Sequence, residues 1–133
     1  MIKVTCAIIE QQGRVLVTQR SGKMSQPFLW EYPGGKLEPN ETEEAALVRE
    51  IKEELNIAIE PVFRLTSVIH TFPDNLVIEL IPFICRYKGG NVSLTEHRSY
   101  QWSTLSDLKK YDWCPADIPV LNEYLELKQH TNA

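Results

Sequence analysis

The chain has 133 residues, 14 Lys+Arg against 18 Asp+Glu for a net charge of −4, 43% hydrophobic residues and three cysteines. That length and apolar fraction fit a single domain over residues 1–133 with one packed core, and exclude a disordered chain. The acidic balance excludes a sequence-independent binder of nucleic-acid polymers, which needs clustered Lys and Arg to displace counterions. On its face it also argues against a phosphate-rich ligand.

Residues 2–10 alternate and are β-branched (Ile2, Val4, Cys6, Ile8), which predicts a strand. Gln11-Gln12-Gly13 predicts a tight turn and Arg14–Arg20 the return strand. A loop with Ser21-Gly22 and Gln26-Pro27 follows, then an aromatic patch from Phe28 to Tyr32 and the breaker Pro33-Gly34-Gly35. From Thr42 to Leu55 the period turns helical: Thr42 caps the N-terminus, Glu43 and Glu44 occupy the first turn, and Leu47, Val48, Ile51 and Leu55 form the apolar stripe. Asn56 suits the left-handed conformation that ends a helix.

Strand-like runs resume at Pro61–Ile69, Leu76–Tyr87 and Ser99–Trp102, with Lys88-Gly89-Gly90-Asn91 as a turn between the last two. Val120, Leu121, Tyr124 and Leu125 predict a final helix from about Ile118 to Gln129, with His130–Ala133 fraying. The order predicts an α/β protein, a mixed sheet covered by helices. No apolar run approaches the roughly 20 residues of a membrane span, and the N-terminus lacks a signal-peptide pattern. Cys6, Cys85 and Cys114 have neither disulfide nor zinc spacing, which predicts buried thiols in a reducing cytoplasm.

The chemistry concentrates on the first helix. Glu50, Glu53 and Glu54 are spaced i, i+3, i+4, so they fall within an arc of about 100° at the edge of the apolar stripe. Three like charges so close are unfavourable unless a cation lies between them, and Arg49, on the flank, cannot neutralise all three. An oxygen-only donor set suits a hard divalent ion such as Mg²⁺, with Mn²⁺ as a substitute. A solvated glutamate face is the plain alternative. His70, His97 and His130 offer no ligand spacing and are expected to be solvated or core residues.

The segment Gly35-x5-Glu41-x7-Arg49-Glu50-Ile51-Lys52-Glu53-Glu54-Leu55-Asn56-Ile57 resembles the signature box of the Nudix hydrolase superfamily over residues 35–57, with Asn56 in place of a Gly. Beyond the box, Glu31-Tyr32-Pro33-Gly34-Gly35-Lys36, His70-Thr71-Phe72-Pro73-Asp74 and Pro115-Ala116-Asp117-Ile118-Pro119 resemble the MutT-type branch, the last of them especially bacterial CTP pyrophosphohydrolases. The resemblance implies a Nudix α/β/α sandwich, a mixed β-sheet flanked by the Nudix helix and a C-terminal helix. It also implies an Mg²⁺-dependent hydrolase that splits a nucleoside triphosphate into the monophosphate and pyrophosphate.

By the same resemblance Glu50, Glu53 and Glu54 hold the metal, completed by the Gly34 carbonyl and by Glu96 from a facing loop. Arg49 orients the carboxylates and Glu41 supports the loop or ligates. The proton acceptor is Glu50, Glu53 or Glu96. Arg20 and Lys36 face phosphate, with ordinary salt-bridged or solvated roles as their alternatives. Tyr32 stacks or packs against the base, with Phe72 an alternative that is better read as core. Asp117 reads the base edge, caps the last helix, or does both. The expected substrates are CTP, dCTP or a modified pyrimidine nucleotide, or an oxidised purine nucleotide such as 8-oxo-dGTP. ADP-ribose or a dinucleoside polyphosphate, and a non-catalytic nucleotide-binding module, are the alternatives. The expected state is a cytoplasmic monomer or homodimer.

The box also revises the charge argument. From Glu41 to Glu54 six glutamates face only Arg49 and Lys52, so this one segment carries as much net charge as the whole chain. A cation arriving with the substrate would invert that local field.

Overall fold

The computed structural model describes residues 1–131. Its strands are β1 (Ile2–Gln11), β2 (Arg14–Gln19), β3 (Trp30–Glu31), β4 (Gly34–Lys36), β5 (Ala58–Arg64), β6 (Val68–Thr71), β7 (Val77–Gly89) and β8 (Ser99–Thr104). The helices are α1 (Glu43–Leu55) and α2 (Ile118–Thr131), with 3₁₀ turns at Leu105–Lys110 and Pro115–Asp117.

β1 is the axis of the sheet. It runs parallel to β7 from Ile2↔Ile78 to Glu10↔Arg86, and on its other side it meets β4 (Val4↔Lys36 to Cys6↔Gly34) and then β2. β8 and β3 pair with β2, while β5 and β6 both line the free edge of β7. Every pairing except β1 with β7 is antiparallel.

Strict alternation along β1 and β2 feeds two cores. Cys6, Ile8, Val15 and Val17 pack under α2 with Leu121 and Tyr124. Ala7, Ile9 and Leu16 pack under α1 with Leu47, Ile51 and Leu55. Covered by a helix on each face, β1 is fully buried from Thr5 to Ile9, and its one polar side chain there, Thr5, is hydrogen-bonded. The result is the predicted helix–sheet–helix sandwich. Tyr124 ties α2 to the end of β1: its hydroxyl donates to Glu10 Oε2 at 2.5 Å, and Lys128 Nζ lies 2.6 Å from the same oxygen. Among the described residues no helix is long and apolar enough to cross a membrane.

Several boundaries differ from expectation for local reasons. Gln12 and Gly13 both adopt positive φ and close the β1–β2 hairpin in two residues. Gly34-Gly35 is not a breaker but a strand, because without Cβ atoms it can lie directly against β1. A Cβ on Gly34 would come within 1.9 Å of the Thr5 carbonyl oxygen. The run from Pro61 to Ile69 splits into two strands at Leu65, whose N–H turns to the Pro82 carbonyl, and the register shifts at Pro61/Phe63, beside a proline that cannot donate to the ladder. β7 continues through Gly89, so the predicted turn at 88–91 is the start of a longer loop that ends at β8. α2 extends through His130 and Thr131, so the expected fray does not begin there; Asn132 and Ala133 lie outside the described residues.

α1 carries the correction that matters most. Thr42 caps it as predicted, its Oγ1 accepting from Ala45 N at 3.0 Å, and Asn56 closes it at φ +59°. The buried residues, however, are Ala46, Leu47, Ile51 and Leu55, while Val48 is exposed. At about 100° per residue, Val48 falls just outside Leu55, whereas Glu50 and Glu54 fall between Ala46 and Leu47. The helix has therefore rolled its carboxylate edge into the protein.

Asn56→Gly should leave stability unchanged or slightly raised, while Asn56→Ala should cost about 1 kcal/mol, because only the former removes the Cβ penalty of positive φ. Urea denaturation distinguishes the two. Gly34→Ala should cost about 3 kcal/mol, since backbone, not a mobile side chain, blocks the added carbon.

Candidate active site

A cleft of about 300 Å³ opens where β1, β4, β7 and the turn before α2 meet. Arg20, Tyr32, Gly34, Lys36, Glu54 and Asp117 all line it. Glu50 adjoins it: a Cβ on Gly35 would sit 2.2 Å from Glu50 Oε2, so the missing side chain is what admits the carboxylate. Thr5 Oγ1 donates to the Gly35 carbonyl at 3.1 Å, which helps fix β4 to β1.

Arg49 organises the carboxylate edge more fully than a flanking role predicts. Its guanidinium meets Glu41 through Nε at 2.7 Å and Nη2 at 2.8 Å, Glu50 at 3.0 Å and Glu53 at 3.2 Å, and donates to the Lys36 carbonyl at 3.2 Å. Glu41 also accepts from Glu38 N at 2.9 Å. The Arg49 hydrogen bonds, then the Glu38 amide, hold the Glu41 carboxyl at about 2, far below the usual range. Both Glu41 oxygens are thus engaged, Oε2 by Arg49 Nε and Oε1 by Arg49 Nη2 and the Glu38 amide, which ties the loop before α1 to the helix.

Of Glu50, Glu53 and Glu54, Arg49 meets the first two but not Glu54. Its Oε2 is buried without a hydrogen-bond partner, and its pKa is pushed up to about 7, chiefly by burial, with Glu50, Glu31 and Glu96 adding to the rise and His97 opposing it. Among the described residues no three ligating side chains already converge at metal-binding distances. The donors nonetheless fit a hard cation: oxygen only, mutually repelling, one atom orphaned in the wall, and a glycine cradle beside Glu50.

The loop facing this edge is clamped at several points. Ser93 N donates to the Leu55 carbonyl, Thr95 Oγ1 to the Glu53 and Glu54 carbonyls, and Arg98 N to the Gln19 carbonyl. Glu96 is exposed between these clamps, close enough for its charge to act on Glu54.

Two residues that sequence reasoning passed over take part. Glu31 lies between Arg20 Nη1 (2.8 Å) and His97 Nε2 (2.8 Å). His97, expected to be an ordinary solvated or core histidine, is buried and lines the cleft, with Nδ1 unpartnered. The signal for Glu31 was available, a lone acid inside an aromatic patch; for His97 it was not. Phe72 is half-buried and lines the cleft, contrary to the core reading.

Arg20 is satisfied on two sides. Nη1 meets Glu31, while Nε and Nη2 donate to Ser25 at 2.6 and 3.0 Å. Asp117 does not cap α2 with its side chain; it is buried and its Oδ2 accepts from Tyr32 N at 2.9 Å. Burial, and then the nearby charge of Glu31, raise its pKa well above the usual value. Backbone pairing of Trp30 with Asp112 and Cys114 brings the turn to this place. Tyr32 is packed, with its ring centroid 4.8 Å from that of Trp113. Cys6, Cys85 and Cys114 are all buried free thiols.

The NUDIX domain family model matches residues 1–124. The chain is 35% identical over 128 residues to the CTP pyrophosphohydrolase of Escherichia coli K12, covering 96% of this chain and 94% of that protein. It is 45% identical over 91 residues to the 8-oxo-dGTP diphosphatase of Proteus vulgaris, covering 68% and 79%. The solution structure of the E. coli ORF135 protein superposes with a TM-score of 0.83 at 35% identity, covering 96% of this chain and 91% of that one.

Because the folded protein favours the protonated form of Glu54, raised from 4.5 to about 7, it binds more protons than the unfolded chain in that interval. Stability without metal should therefore be highest near pH 5 and fall as pH rises through 7. Thermal melts in chelator across this range should show the slope, and Glu54→Gln should reduce it, the raised pKa of buried Asp117 accounting for what is left.

Proposed function

The chain belongs to the Nudix family and is a hydrolase of that class, and on this premise we propose that it is an Mg²⁺-dependent nucleoside triphosphate pyrophosphohydrolase. Its substrates would be CTP, dCTP or modified pyrimidine nucleotides, or oxidised purine nucleotides such as 8-oxo-dGTP, and it would serve nucleotide-pool sanitation. The observation that carries the reading is the continuity of the cleft: Glu54 and the Gly34-Gly35 segment of β4 lie along the same cavity as the buried Asp117. One end calls for a cation and phosphates, the other for a flat group with polar edges. The names of the two relatives above agree with that substrate range.

In this reading Glu50, Glu53 and Glu54, with the Gly34 carbonyl and Glu96, hold the metal. Held there, Mg²⁺ would supply charge neutralisation for the phosphates and a lowered pKa for an attacking water. Glu50, Glu53 or Glu96 accepts the water's proton. Arg49 keeps Glu50 and Glu53 apart and oriented while leaving Glu54 free. Arg20 would turn its Nε/Nη2 edge, which now meets Ser25, to a phosphate, since that fork matches phosphate oxygens bidentately. Lys36, exposed at the rim, supplies a second positive charge. At the far end Asp117 reads the base edge; a carboxylate there accepts from an exocyclic amine such as cytosine N4, which favours cytosine nucleotides. Tyr32 packs beside it.

A panel of nucleoside triphosphates assayed for pyrophosphate release with Mg²⁺ should show turnover, with a cytosine nucleotide among the best substrates; no release from any member refutes the assignment. Glu53 is exposed, so Glu53→Gln should leave the melting temperature unchanged while kcat falls by on the order of a hundredfold or more. Unchanged activity would sink the metal-clamp account.

A further inference from the structure

The nucleotide reading leaves two polar atoms in the cleft wall without a task, Tyr32 Oη and His97 Nδ1, and the first lies at the end that holds Asp117. Among the described residues three buried side-chain atoms lack a hydrogen-bond partner: Tyr32 Oη, Glu54 Oε2 and His97 Nδ1. All three side chains line the cleft. Glu54 belongs to the cation end. Tyr32 belongs to the end that holds Asp117, whose Oδ2 its own backbone N–H fixes at 2.9 Å.

Packing explains the Tyr32 ring but not its hydroxyl. The side chain is 2% exposed and its ring rests on Trp113 among the apolar residues under α2. Phenylalanine would serve that contact equally well, and a buried hydroxyl with no partner is a net cost to the fold. The neighbouring polar groups leave it unused. Asp117 accepts no bond from it, and the nearby Tyr124 hydroxyl is spent on Glu10. Burial, together with the charges of Asp117, Tyr124 and Cys6, disfavours the phenolate, so the group stays protonated and can donate.

We propose that the Tyr32 hydroxyl is a specificity determinant that donates a hydrogen bond to an acceptor on the nucleobase, beside Asp117. The inference rests on the nucleotide reading and sharpens it. A base offering both an amine and a ring or carbonyl acceptor, as cytosine does, satisfies Asp117 and Tyr32 together. A sugar triphosphate without a base satisfies neither.

Tyr32→Phe tests this directly, because it keeps the ring and the backbone N–H to Asp117. Without nucleotide, its melting temperature should equal or exceed that of the wild type. On the best nucleoside triphosphate of the wild-type panel, kcat/KM should fall about tenfold, carried by KM. The inhibition constant of 2-deoxyribose 5-triphosphate, which has no base, should stay within about twofold. Unchanged kcat/KM would overturn the proposal. So would an equal loss toward the baseless compound, or a lowered melting temperature, which would assign the hydroxyl to the fold. A wild type that cleaves no nucleoside triphosphate brings down the parent reading, and the base contact with it, whatever the variant does.

Discussion

Three carboxylates on the last turns of one helix are the constraint around which this molecule is arranged. Glu50, Glu53 and Glu54 repel one another, and they project near the end of α1 where the helix dipole already disfavours negative charge. Arg49 relieves part of this by spreading one guanidinium over Glu41, Glu50 and Glu53. Glu54 is left outside that fan and pushed into the wall. An arrangement so unbalanced is unfavourable for a merely solvated surface, and it is the state from which a bound divalent cation gains most. Stability given up locally is a common mark of a functional site.

The fold serves this edge through close approach. β4 can lie on β1 only because Gly34 has no Cβ, and Glu50 can reach β4 only because Gly35 has none. The same short segment continues back through Tyr32 to β3, which carries Glu31 and, through backbone pairing, the turn with Asp117. One stretch of chain, Trp30 to Lys36, therefore touches both ends of the cleft. Pairing of β3 with β2 and of β4 with β1 fixes the course of that stretch along the cleft.

Much of this was legible in the residues. The helical period, the Thr42 cap, the Asn56 stop and the hairpin at Gln12-Gly13 are local effects, and the structure keeps all of them. What failed was non-local. Val48 and Ala46 are both acceptable neighbours of Leu47, and only docking against the sheet decides which is buried. The choice falls to Ala46, whose small side chain lets the helix approach closely, and that roll is what carries Glu50 and Glu54 inward. His97 gave no signal because its partner, Glu31, is 66 residues away in the chain. Asp117 looked like a cap because it precedes a helix, yet its carboxylate is claimed by Tyr32, 85 residues distant.

The net charge of −4 excluded more than it should have, and electrostatic range explains why. At physiological ionic strength the screening length is about 8 Å, so charge elsewhere on the surface contributes little at the cleft. A nucleic-acid polymer spans many such lengths and responds to the whole face, so the acidic balance still argues against it. A single nucleotide fits within one or two. In the proposed reading what it would meet is local: Arg20 paired to Glu31, Lys36 at the rim, and a carboxylate edge whose charge a divalent cation would largely offset. The acidity that seems to repel a polyphosphate is concentrated where the polyphosphate's own counterion would bind.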